Sequence, residues 1–87
     1  MSFSIDYDKQ PMRFFKQQEK HIVRRIMDKI DEVLPENPVP HNAKSIIGKH
    51  NCFRIRVGDF RVLYRVEYET NRAVIFKIDK RSRVYSE

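Results

Sequence analysis

Between Asn51 and Val66 the chain alternates apolar and polar positions with a period of two: Phe53, Ile55 and Val57 against Cys52, Arg54 and Arg56, then Phe60, Val62, Tyr64 and Val66 against Arg61, Leu63 and Arg65. That period predicts two half-buried strands. Gly58-Asp59 separates them, and a glycine in the first position of a two-residue loop suits a type II′ turn, whose positive φ only glycine takes freely. The turn sets the register. With Val57 opposite Phe60, Arg56 falls opposite Arg61, a juxtaposition of like charges that is unfavourable unless an anion sits between them.

The rest of the chain supplies the support. Phe3 to Tyr7 alternates as a short first strand with Phe3, Ile5 and Tyr7 facing inward. Asp8 reads as a helix N-cap, and Pro11 falls in the first turn, where its missing N–H costs nothing, so a short helix over roughly residues 9–18 is expected. From Glu19 onward Ile22, Val23, Ile26, Met27, Ile30, Val33 and Leu34 recur at helical spacing, with charged residues on the opposite side. Pro35 ends this helix, and Pro38 and Pro40 hold 36–42 as an extended connector. No Gly or Pro separates the two helical stretches, which leaves a single kinked helix as an alternative to a tight helical hairpin around Gln17 to Lys20; the hairpin is preferred because both helices then reach one sheet. Ala43 to His50 is open between a turn of helix and a loop in which Ile46-Ile47 packs down on the core. Ala73 to Asp79 predicts a last strand, with Val74, Phe76 and Ile78 inward and Lys77 and Asp79 outward; Arg81 continues the outward series. The resulting order β-α-α-β-β-β describes an α+β domain: an N-terminal strand and a two-helix hairpin packed on a small, mostly antiparallel four-stranded sheet.

Eighty-seven residues suffice for one such domain and no second. The 18 Lys+Arg and 12 Asp+Glu leave a formal charge of +6, and residues 41–87 carry all of it. A basic half beside a neutral one points to a polyanion face. Arg54, Arg56, Arg61 and Arg65 lie on one side of the hairpin and Arg81 follows from the next strand; their planar, always-charged forks match phosphate bidentately. A solvated cationic sheet face is the plainer reading, but Asp59 and Asp79 are the only acids expected near it. His21, His41, His50 and Cys52 show no ligand spacing for a metal, so no cofactor is expected. One cysteine excludes an internal disulfide, and no apolar run approaches a membrane span, so a cytoplasmic protein without membrane contact is expected. Tyr85 serves either as an anchor for the C-terminal tail or as a phenol whose ionisation neighbouring arginines favour.

Taken together, the element order, the hairpin CFRIRVGDFRVLYRV and the ending KRSRVY resemble the RelE family of toxin–antitoxin ribonucleases, within the RelE/ParE superfamily. The resemblance implies a ribosome-dependent mRNA endoribonuclease that acts in the ribosomal A site without a metal, directing the ribose 2′-hydroxyl onto the adjacent phosphate. It implies catalytic roles for Arg54, Arg56, Arg61, Arg81 and Tyr85, RNA contacts from Lys80 and Arg83, and a cognate RelB-like antitoxin. Operator DNA would be met only through the antitoxin complex. The well-studied bacterial pattern carries lysines where this chain has Arg54 and Arg56. Arginine is a poor base, which leaves Tyr85 or the ribosome as proton acceptor, or low activity. A ParE-like gyrase inhibitor or a basic RNA-binding module is the alternative function.

Overall fold

The computed structural model describes residues 2–80, in the order β1 (Ser4–Tyr7), α1 (Lys9–Lys16), α2 (Lys20–Val33), β2 (Lys44–Ser45), β3 (Cys52–Val57), β4 (Phe60–Glu67) and β5 (Arg72–Lys80). Asp8 is the N-cap of α1 through its extended backbone, without a capping bond from its side chain, and Pro11 is buried in the first turn. Gln17, Gln18 and Glu19 separate the helices, so the expected helical hairpin is present. Pro35 follows the α2 C-cap Leu34, and its carbonyl accepts a 2.7 Å bond from the Phe3 N–H, tying the connector to the entry of β1.

The sheet has five strands in the order β1-β5-β4-β3-β2, antiparallel except for the parallel outer pair β1 and β5. Both helices cover one face. Ile26, Ile30 and Leu34 from α2 meet Ile55, Val57, Phe60, Val62, Tyr64, Val66, Ala73, Ile75 and Ile78, with Phe14, Phe15 and Phe53 packed around them. The opposite face carries the arginines.

Three expectations change. The fifth strand, β2, is a two-residue edge paired with β3 in the stretch left open between a turn of helix and a loop: Ala43 packs against the core, but Ile47 stands 97% exposed in the turn that follows instead of packing down. In β5 the inward residues are Ala73, Ile75 and Ile78 rather than Val74, Phe76 and Ile78. The physical cause is a bulge: Leu63 pairs with Lys77 and Tyr64 with Ile75, which leaves Phe76 without a β4 partner and shifts the alternation by one residue. The third concerns the charges of the open face.

Candidate phosphate-binding face

The predicted hairpin register is observed. Val57 pairs with Phe60 and Arg56 with Arg61. Gly58 has φ +61, while Asp59 is not among the residues with positive φ, the signature of a II′ rather than a I′ turn. The guanidinium of Arg25 rests on the turn, its Nη2 2.6 Å from where a Cβ at position 58 would lie, so a larger residue there would also displace that side chain.

Pairing across the sheet arranges the open face in rows. At the hairpin tip lie Arg56, Arg61 and Asp79; the next row is Lys44, Arg54, Leu63 and Lys77; then come Cys52, Arg65, Val74 and Asp6; Glu67 and Arg72 follow. The acids are distributed unevenly over these rows. Towards β1 the cations are neutralised within the sheet: Arg72 reaches both Asp6 and Glu67 at 2.7 Å, and Arg65 Nε reaches Glu67 at 3.0 Å. Hydrogen bonds from Arg72 and then Arg65 hold the Glu67 carboxyl below its usual range. The near absence of acids expected for this face is therefore corrected, since tertiary pairing brings Asp6 and Glu67 onto it.

At the tip, Asp79 engages Arg61 bidentately, accepting from Nε at 3.1 Å and from Nη2 at 3.0 Å. This pair is only 16% and 25% exposed, and Lys77 Nζ lies 3.9 Å from the same carboxylate. The anion that the Arg56–Arg61 juxtaposition called for is thus partly internal. Towards β2 the picture reverses. Lys44, Arg54 and Arg56 have no acidic partner among the described residues. They line one cleft of about 320 Å³ with Asn42 and Ile55.

Of the residues singled out from sequence, Arg54, Arg56 and Arg61 converge on this half of the face. Lys80 ends β5 opposite Phe60, in the register of the helix-covered side, and is exposed. Arg81, Arg83 and Tyr85 lie outside the described residues. Lys44 was missed, because the short strand that sets it beside Arg54 has no alternation of its own; its signal is only that a basic residue follows a proline-held connector. Among the described residues no group of three or more His, Cys, Asp or Glu side chains gathers for a metal, and no helix is long and apolar enough to cross a membrane. The arrangement is chemically suited to binding a polyanion through guanidinium forks at a sheet surface.

Residues 5–85 match the family model described as the ParE toxin of the type II toxin–antitoxin system parDE. A Methanocaldococcus jannaschii protein carrying the toxin name RelE1 is 28% identical over 98% of this chain and 97% of its own length. A chain of the archaeal RelE–RelB complex from Pyrococcus horikoshii OT3 superposes with a TM-score of 0.79 at 26% identity, covering 95% of this chain and 99% of that one. A chain of the intact E. coli RelBE toxin–antitoxin complex shares the fold, with a TM-score of 0.76 at 21% identity over 91% of this chain and 96% of that one.

Proposed function

The chain belongs to the RelE/ParE family of type II toxin–antitoxin toxins, and from that membership we propose that it is a ribosome-dependent mRNA endoribonuclease which inhibits translation. The observation that carries this reading is the cleft of Lys44, Arg54 and Arg56, three cations on a sheet surface that form no salt bridge among the described residues. An unneutralised cluster of this kind is costly for the folded chain alone and favourable once a phosphodiester enters.

In the proposed reaction the ribose 2′-oxygen attacks the adjacent phosphorus, its proton passes to a base, and the bond to the 5′-oxygen breaks. The products are a 2′,3′-cyclic phosphate and a 5′-hydroxyl. Arg56 and Arg61 hold the phosphate and stabilise the added charge of the pentacoordinate state, Arg54 and Lys44 fix the flanking backbone, and Arg81 donates to the leaving oxygen. Tyr85 stacks on the substrate base or accepts the proton, and Lys80 and Arg83 add contacts along the strand. A RelB-like antitoxin, as in the complexes of the relatives, would neutralise this face, and the ribosome with its mRNA is the target.

Primer extension on a translation reaction tests the reading. Cuts confined to ribosome-bound codons are expected, reduced on the order of 10²–10³-fold in Arg56→Ala and Arg81→Ala, the scale of removing one group that stabilises developing charge. Absence of cleavage by folded wild-type protein overturns it. One observation favours a second reading, inhibition of DNA gyrase: the family model matched over residues 5–85 is described by ParE. Loss of supercoiling activity with translation untouched would establish that reading instead.

A further inference from the structure

We propose that Asp79 is an intramolecular competitor of phosphate at Arg61, setting how tightly the open face binds a phosphodiester. The inference rests on the reading of this face as an RNA site, and adds to it a residue that acts against binding.

The geometry is specific. Asp79 and Arg61 are direct cross-strand partners, and the carboxylate takes the Nε–Nη2 edge of the guanidinium with bonds of 3.1 and 3.0 Å. That paired-donor edge is a fork geometry that a phosphate also accepts, so both anions compete for one recognition element. Exposures of 16% and 25% keep the pair largely out of water, where its attraction is stronger than at an open surface. A phosphate approaching Arg61 must displace this carboxylate or bind beside its negative charge. Either course weakens binding.

The position of Asp79 distinguishes it from the other acids. Glu67 and Asp6 neutralise Arg65 and Arg72 towards the β1 side of the sheet. Asp79 alone of the described acids reaches into the row that holds Arg56 and Arg61. Lys77, 3.9 Å away, is the other cation facing it among the described residues, but it is half exposed and adds little.

The test measures binding to a single-stranded RNA bearing 2′-O-methyl riboses, which 2′-attack cannot cleave, by fluorescence anisotropy at low ionic strength. Asp79→Asn, which keeps the shape and one acceptor, is expected to bind about fivefold tighter or more. In an Arg61→Ala background the same substitution is expected to add nothing. Unchanged or weaker binding by Asp79→Asn overturns the proposal, as does a gain that persists without Arg61, since that would be a general charge effect. Asp79→Ser serves as a second variant. In the wild type, the Arg61 Nε–H and Asp79 carboxyl resonances are expected to shift together on titration with the same oligonucleotide, and their remaining still also overturns it. A wild type that cuts no mRNA while Asp79→Asn gains Arg61-dependent affinity would remove the nuclease reading and leave the competitor standing. Cleavage without that gain would do the reverse.

Discussion

The side-chain amide of Gln10 makes both hydrogen bonds to the backbone of Ile78: Nε2 donates to its carbonyl at 3.0 Å, and Oε1 accepts from its N–H at 2.9 Å. β1 ends its pairing with β5 at Ile75, so beyond that point the outer edge of β5 has no neighbouring strand among the described residues. Gln10, in the first turn of α1, substitutes for one. It satisfies the backbone of a residue that is 0% exposed.

Gln10→Ala is therefore expected to destabilise the fold by about 2 kcal/mol, since a buried donor and acceptor lose their partners together. Urea unfolding of the two proteins measures it. A difference under about 0.5 kcal/mol, within the range of an ordinary surface substitution, would refute the role assigned here.

Two tyrosines, Tyr64 in the core and the half-buried Tyr7, should respond differently. The Tyr64 hydroxyl donates a 2.6 Å bond to the Pro38 carbonyl and so straps the proline connector to the core. The Tyr7 hydroxyl is buried without a hydrogen-bond partner among the described residues, and burial, aided by Asp31, pushes its pKa up to about 12. Tyr64→Phe should cost roughly 1–2 kcal/mol, whereas Tyr7→Phe should be neutral or stabilising because it removes an unsatisfied group. Thermal melts of both variants decide the point.

Arg56 and Arg61 are opposed in the ladder but differ in their pairing. Arg56→Ala relieves a like-charge contact and is expected to leave stability unchanged or raise it by up to about 0.5 kcal/mol. Arg61→Ala strands the Asp79 carboxylate and should cost about 1–2 kcal/mol, between the values for exposed and buried pairs. Arg56→Ala should also flatten the salt dependence of single-stranded RNA binding by ~0.7 in log–log slope. Denaturant titrations and binding at several salt concentrations separate the two residues.

Glu67 predicts a pH dependence. Its folded pKa is lowered by Arg72 and Arg65, so its contribution to stability is present above the unfolded carboxyl pKa and is lost as pH falls through the folded one. Glu67→Gln should melt below the wild type at neutral pH, and the difference should close in acid as the wild-type carboxyl protonates. Melting curves across that range provide the check; a gap constant with pH would show that the charge of Glu67 contributes nothing.

Local pattern sufficed for much of this structure. Alternation in 51–66 and the Gly58-Asp59 turn determined the hairpin, its register and the opposition of Arg56 to Arg61, because side-chain direction in a strand reverses at every residue and a two-residue loop admits few conformations. Helical spacing and Pro35 determined α2 in the same way. Alternation fails wherever a bulge intervenes, so the inward residues of β5 could not be read from Val74, Phe76 and Ile78. Ala43 to His50 carries too little pattern for any assignment, and so Lys44 went unrecognised.

The sequence by itself determined that a row of arginines would stand on one sheet face, opposite the side covered by the helices. Only the tertiary structure decided which of them are neutralised. Asp6 and Glu67 meet Arg72 and Arg65 through the β1–β5 and β4–β5 pairings, and Asp79 meets Arg61 through the register beyond the bulge. These are contacts between residues as many as 66 positions apart in the chain. Charge along a sequence is a sum, whereas pairing depends on distances of about 3 Å that strand order and register set.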